Sequence, residues 1–124
     1  MRVFKTKWFS RWARKHGISD AALSTAVAEM AAGLVDADLG GHVVKKRIPL
    51  PGRGKRGGAR CIVAYQLEQH TFFMYGYAKN ERDNIDADEL NAFRIFANEL
   101  QRYDEAMLAR AVEAGQLIEV ISDA

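Results

Sequence analysis

Two apolar segments that lie close together constrain the fold more than any other feature of this chain. The segments are RCIVAYQL at 60–67 and FFMYGYA at 72–78, and only the polar stretch 68–71 separates them. Two strands joined by a short polar turn form an antiparallel hairpin. Because both runs are almost continuously apolar, we expect central strands of a sheet, covered by helices on at least one face.

Helical patterns precede this hairpin. Phe4, Trp8 and Trp12 recur every four residues, which predicts a helix from Lys7 to His16 that Gly17 ends. A second helix is predicted from the cap residue Ser19 to about residue 35. The basic segment VVKKRI at 43–48 then reads as a strand, and the proline- and glycine-rich segment PLPGRGKRGG that overlaps its end reads as a mobile loop.

Helical spacing returns after the hairpin. Asp86 and Glu89 form a capping-box pattern that opens a third helix. A break near Tyr103 precedes a short helix that ends at Gly115, and the segment LIEVI is predicted as an edge strand. The fold class is therefore α+β: two N-terminal helices, a small antiparallel β-sheet, a C-terminal helix, and a short helix-strand extension. We expect one domain over 1–124, with a core of about 1–102 and a docked extension of about 103–124.

Composition excludes several classes of protein. No apolar run approaches the ~20 residues that span a bilayer, and the charged N-terminus lacks the apolar stretch of a secretory signal. A single cysteine, Cys61, cannot form an internal disulfide, which fits a reducing compartment. The three histidines are scattered without further ligands at metal-binding spacing. We therefore expect a cytoplasmic protein without a membrane partner, a metal or another cofactor.

Basic residues are concentrated in the first half of the chain. Residues 1–60 hold 13 lysines and arginines against 4 carboxylates, whereas residues 61–124 hold 5 against 12. Between 43 and 60 there is no carboxylate, and the seven cations are Lys45, Lys46, Arg47, Arg53, Lys55, Arg56 and Arg60. Crowding like charges opposes folding, and binding to RNA phosphates recovers that repulsion. The alternative is an ordinary solvated hairpin loop.

A second basic segment, KNERDN at 79–84, follows the apolar segment FFMYGYA. If the two strands of the hairpin pair, Lys79 and Arg82 come close to Arg60. Tyr75 and Tyr77, two apart on a strand, point to one face, where they can stack on a base or bond to a phosphate. The sequence therefore predicts one concave cationic site.

The segments KRGGARCIVAYQ and FFMYGYAKNERDNI, followed by the acid-capped helix, resemble the RelE/ParE toxin superfamily, specifically the RelE-type subgroup similar to HigB toxins. The resemblance covers residues 1 to about 100. It implies a toxin that acts as an endoribonuclease on mRNA in the ribosomal A site. It also implies a neutralising antitoxin partner, usually a helix-turn-helix repressor.

The resemblance also implies roles for individual residues. Arg60 matches the family arginine that contacts the reacting phosphate, and Lys79 matches a lysine after the last central strand. Lys55 and Arg56 fall in the loop where members carry a lysine for proton transfer. The chain departs from the well-studied pattern at Asn80, where that pattern has arginine, and at Ile85, where it has tyrosine. Arg82 and Tyr75 or Tyr77 can substitute for these in space.

RNA cleavage without a metal is compatible with these residue types. The enzyme must align the 2′-hydroxyl with the phosphorus, stabilise charge on the phosphoryl oxygens and move two protons. We expect Arg60 and Arg82 to stabilise charge, and Lys55 or Lys79 to transfer a proton. Lys45, Lys46, Arg47 and Arg53 are expected to bind RNA. Two alternatives are a ParE-like inhibitor of DNA gyrase and a non-catalytic RNA-binding module.

Overall fold

Among the residues that the structure describes, six strands form one central sheet and four helices pack around it. The computed structural model describes residues 1–52 and 54–121, and within these the side chains outside 54–56. In chain order the elements are β1 (Val3–Thr6), α1 (Lys7–Lys15), α2 (Asp20–Ala31), β2 (Ala37–Asp38), β3 (Val43–Leu50), β4 (Gly54–Ala64), β5 (Thr71–Ala78), α3 (Ala87–Gln101), α4 (Glu105–Glu113) and β6 (Leu117–Glu119). None of the helices in the described part of the chain has both the length and the hydropathy needed to cross a bilayer.

The sheet has six strands in the order β2-β3-β4-β5-β1-β6. The α+β class is confirmed, and the β4–β5 hairpin is antiparallel as predicted. The prediction of a small, purely antiparallel sheet is wrong in detail, because β1 pairs in parallel with β5, with Val3 opposite Thr71. This pairing buries Phe4 against Phe72, whose rings stack with centroids 5.4 Å apart. β6 then pairs antiparallel with the other side of β1 and forms the predicted edge strand.

Helices cover both faces of the sheet. Under α1 and α2 lies one apolar cluster, which includes Phe9, Trp12 and Leu23. Under α3 and α4 lies a second cluster, which includes Leu100 and Leu108. Strands β4 and β5 are buried between the two layers, which explains why they read as almost continuous apolar runs.

The predicted helix starts are confirmed by their caps. The Ser19 side chain accepts from the N–H of Ala22, and Asp86 and Glu89 form a complete capping box at the start of α3. The second helix ends at Ala31 rather than near residue 35. Gly33 follows with a φ of +89°, a left-handed conformation that ends a helix.

The segment predicted as a mobile loop is mostly strand. β3 continues to Leu50 and β4 already begins at Gly54, so that a long hairpin replaces much of the loop. The register shifts between Ile48 and Leu50, where Pro49 has no N–H to donate. Arg53 and the side chains of Lys55 and Arg56 lie outside the described residues.

Candidate active site

Arg60 and two tyrosines occupy neighbouring positions on β4 and β5. Arg60 lies directly opposite Tyr77 in the antiparallel ladder, and Ile62 lies opposite Tyr75. Direct cross-strand partners point to the same face of a sheet. The side chains of these four residues therefore share the sheet face that α3 and α4 cover.

Arg82 comes to the same place from the turn after β5. Its guanidinium carbon lies 5.9 Å from the ring centroid of Tyr75 and 6.0 Å from that of Tyr77. One guanidinium nitrogen donates to the Tyr75 hydroxyl at 3.2 Å. Two nitrogens donate to the carboxylate of Glu89, at 2.8 and 2.5 Å. This bidentate pair fixes the plane of the guanidinium group.

Asn84 connects the tyrosine on β5 to a lysine on β3. Its side-chain oxygen accepts from the Tyr77 hydroxyl at 3.2 Å and from Lys45 Nζ at 3.5 Å. The same oxygen accepts from the backbone N–H of Ile85 at 2.9 Å, which holds the turn in shape. Lys45 is thereby brought to the rim of the tyrosine and arginine group.

The Arg60 guanidinium differs from the other cations of this group in its hydrogen bonding. Its Nη1 atom is buried and has no hydrogen-bond partner among the described residues. A buried donor of a charged group without an acceptor costs about 1–3 kcal/mol or more. A phosphate oxygen on this face would supply the acceptor, and arginine matches phosphate geometry well.

Burial and the neighbouring arginines determine the protonation states of Tyr77 and Glu89. Burial raises the pKa of Tyr77, although the charges of Arg60 and Arg82 act in the opposite direction. The Tyr77 hydroxyl is therefore protonated at neutral pH and can donate. Hydrogen bonds from Arg82 lower the pKa of Glu89 to about 2. A carboxylate with so low a pKa is a weak base and keeps its charge near neutrality.

The turn that carries Arg82 is anchored to α1 by its neighbour Glu81. The Glu81 carboxylate accepts from Trp12 Nε1 at 3.0 Å and from the Ala78 N–H at 2.7 Å. It also contacts His16 Nε2 at 3.2 Å. Together these contacts lower the pKa of Glu81 despite its partial burial. In the segment KNER, therefore, glutamate fixes the turn and arginine faces the tyrosines.

The structure brings only some of the predicted site residues together. Arg60, Tyr75, Tyr77, Arg82 and Lys45 form one group, which we call the arginine–tyrosine site. Lys79 is exposed and directly follows β5, whose last residue Ala78 pairs with Ala59.

Two predicted RNA-binding residues pair with carboxylates, although Arg47 lies directly opposite Arg60 in the ladder. Lys46 is buried on the opposite face, where Nζ pairs with Glu29 at 2.9 Å and donates to the Leu34 carbonyl. Arg47 pairs with Asp36 at 3.4 Å. Lys46 therefore supports α2 rather than this site. The predicted contributions of Arg53, Lys55 and Arg56 fall outside the described side chains.

Two residues of this site were missed by reasoning from the sequence. Glu89 was recognised as a helix cap, and its carboxylate both completes the cap and binds Arg82. Asn84 carried no signal beyond its place in a polar turn. An acidic residue seven positions after Arg82, on the first turn of a helix, is the pattern that could have indicated the ion pair.

Comparison with known proteins places the chain in a family. The family model described as the RelE toxin of the RelE/RelB toxin-antitoxin system matches residues 1–120. The chain belongs to the RelE toxin family. The comparison with individually curated proteins gives no match.

Membership of the RelE family supplies the biological setting. The chain is a toxin of a toxin-antitoxin system, and a RelE toxin has an antitoxin as its partner. RelE toxins are generally ribonucleases. The match includes the arginine–tyrosine site and also α4 and β6, which we had expected to lie beyond the resemblance.

Proposed function

We propose that this RelE toxin is a ribosome-dependent endoribonuclease that cleaves mRNA in the A site and so inhibits translation. One observation carries the proposal: a buried Arg60 nitrogen, without an acceptor in the described part of the chain, lies on the sheet face that holds Tyr77 and Arg82. An oxyanion of the reacting phosphate satisfies that donor. The cytoplasm is where such a toxin meets its substrate.

Cleavage proceeds by the RNA's own 2′-hydroxyl. Its oxygen forms a bond to the adjacent phosphorus as the bond from phosphorus to the 5′ oxygen breaks, leaving a 2′,3′-cyclic phosphate and a 5′-hydroxyl. Negative charge builds on the two non-bridging oxygens in the transition state. Fixed cations aimed at those oxygens lower the barrier, and Arg60 and Arg82 provide them without the need for a metal.

Two protons must move in this reaction. The Tyr77 hydroxyl donates its hydrogen bond to Asn84, so it can donate to the phosphate only by exchanging that acceptor for a phosphate oxygen. Glu89 serves to orient Arg82, because its low pKa makes it a poor proton acceptor. The attacking 2′-hydroxyl must give its proton to a base, and the departing 5′ oxygen must take up a proton from an acid. We propose Lys79 and Lys55 as the candidates for these two transfers.

The proposal is tested by mapping mRNA 5′ ends in a translating extract and in the same extract with ribosomes removed. We expect cuts at fixed codon positions only when ribosomes translate. The substitution Arg60→Ala should lower the cleavage rate about 10²- to 10³-fold, as the loss of an oxyanion donor does in other enzymes. Arg110→Ala removes an exposed arginine from α4 and serves as the matched control.

The outcomes separate the competing functions. Unchanged cleavage by Arg60→Ala would remove the basis of the proposal. Loss of DNA supercoiling without RNA cuts would indicate a gyrase inhibitor. RNA binding without cuts would indicate a binding module. We further propose that the antitoxin is of the helix-turn-helix type, which sequencing of a co-purified partner checks.

A further inference from the structure

An apolar cavity lies beside the arginine–tyrosine site. Its volume is 510 Å³, and it opens between the start of α1, strand β5 and α3. The side chains that form it include Lys7, Trp8, Met74, Tyr75, Phe93 and Phe96. Trp8 is 47% exposed, a large fraction for a tryptophan whose neighbour on the same helix, Trp12, is 6% exposed.

Tyr75 forms the boundary between this cavity and the proposed phosphate site. Its ring stacks on Trp8 with centroids 4.5 Å apart and planes 25° apart, and it meets Phe93 at 5.4 Å. Its hydroxyl accepts from Arg82 at 3.2 Å. The aromatic cavity and the cations are thus one tyrosine side chain apart. Within a nucleotide, one ribose separates base and phosphate in a comparable way.

The charge around the cavity favours a polyanion. Lys7 lies at its rim, and α1 carries four exposed cations and no carboxylate: Lys7, Arg11, Arg14 and Lys15. An apolar protein segment would gain nothing from these charges. An RNA strand can place a base in the cavity while its phosphates lie along the cations.

We propose that this cavity is a nucleobase-binding subsite, in which a base next to the cleaved phosphodiester packs against Trp8 and Phe93. This inference rests on the proposed ribonuclease function and adds the feature that selects the base. Stacking on aromatic side chains accepts every base, and the modest preferences that it gives come from stacking strength. The toxin should therefore show a modest preference for bases that stack strongly beside its cut.

The test compares cut sites and rates in a translating extract for the parent, Trp8→Ala, Trp8→Phe, Ile95→Ala and Arg60→Ala. Ile95 is 63% exposed on α3 and does not line the cavity, so it is the control for losing an exposed apolar side chain. Trp8→Ala should lower the cleavage rate about 5- to 100-fold and weaken the base preference at the cut. Trp8→Phe should keep most of both, and Ile95→Ala should match the parent.

Each result decides between the two proposals. If Trp8→Ala cleaves at the parent rate with the parent base preference while Arg60→Ala is inactive, the subsite is refuted and the ribonuclease stands. If Arg60→Ala also cleaves like the parent, the function itself fails. If Trp8→Ala cleaves normally but escapes neutralisation by the cognate antitoxin, the cavity is a protein-docking site and the nucleobase proposal is overturned. A thermal unfolding curve for each variant shows that any loss is not due to unfolding.

Discussion

At the scale of one residue, Lys46 and Arg60 show how two cations on neighbouring strands come to have different surroundings. Lys46 lies next to Cys61 in the ladder, one residue along β3 from Arg47, and pairs with Glu29 on the α2 face. Arg60 has a buried nitrogen with no described acceptor. A long cationic side chain at either position looks the same in the sequence. Only the direction in which the side chain points separates support of a helix from the proposed contact with a phosphate.

The first prediction concerns the folding free energy that the Arg60 side chain costs. Replacing Arg60 with Met removes the unsatisfied donor and keeps an apolar stem of similar length. We expect Arg60→Met to raise the free energy of unfolding by about 1 kcal/mol while mRNA cleavage is lost. Denaturant unfolding and the cleavage assay measure the two effects on one sample. A variant that is less stable than the parent would show that the Arg60 side chain supports the fold.

The second prediction concerns the pH dependence that Glu89 confers. Its pKa falls from 4.5 to about 2 on folding, so its contribution is fully present above about pH 4.5. Between there and pH 2 the contribution decreases as the carboxylate is protonated. In Glu89→Gln this part of the acid destabilisation should be absent, and the variant should be less stable than the parent at pH 7.

Denaturant unfolding of parent and variant between pH 7 and pH 2.5 measures this difference. Glu99→Gln, an exposed position on the same helix, is the control and should leave the pH profile unchanged. Curves for Glu89→Gln and parent that stay parallel over the whole range would contradict the assigned ion pair with Arg82.

At the scale of elements, the success of the sequence-based prediction depended on how local the signal is. The caps at Ser19 and Asp86 involve residues three positions apart, so the sequence contains the whole interaction. The pairing of β1 with β5 joins Val3 to Thr71, and nothing near Val3 indicates that partner. Glycines and a proline usually end strands, so the sequence predicts a loop at the β3–β4 hairpin, whereas in the structure the ladder continues past them.

The third prediction concerns the contact between α1 and β5. A Cβ atom added at Gly76 would lie 2.4 Å from Trp12 Cζ3, a separation that no packed structure tolerates. Gly76→Ala should therefore lower the free energy of unfolding by about 3 kcal/mol, because either the Trp12 ring or the strand must move. The variant should also lose cleavage activity, because Trp12 binds Glu81 and thereby positions the turn that carries Arg82.

Chemical denaturation and the cleavage assay check this prediction. Gly33→Ala is the comparison, because its added methyl meets no atom within 4 Å and only its φ of +89° is strained. We expect that variant to lose about 1 kcal/mol and to keep its activity. A loss at Gly76 no larger than that at Gly33 would mean that the Trp12 ring moves aside at little cost, and would contradict this prediction.

At the scale of the whole molecule, ion pairs neutralise part of the excess of cations in the first half of the sequence. Several cations of the basic first half are paired with carboxylates: Arg2 with Glu119, Lys5 with Asp20, and Lys46 with Glu29. The Arg2 pair connects the residue before β1 to β6, and the Lys5 pair connects β1 to α2. The cations that remain exposed include those of α1, beside the proposed nucleobase cavity. The exposed cationic surface that we propose to face RNA is therefore smaller than the count of charges suggests, and it includes the exposed side of α1.

The fourth prediction follows from this placement. Replacing Lys7 and Arg11 together with Gln removes two charges from the exposed side of α1. If each neutralises one phosphate, the slope of log affinity against log salt should become shallower by about 1.4 for a single-stranded RNA. Fluorescence anisotropy of a non-cleavable 2′-O-methyl RNA oligonucleotide at several salt concentrations measures that slope. The pair Arg102→Gln and Arg110→Gln changes the net charge equally on exposed positions of the C-terminal part. That control should leave the slope unchanged. A slope that changed equally in both pairs would reflect net charge alone and would contradict RNA binding along α1.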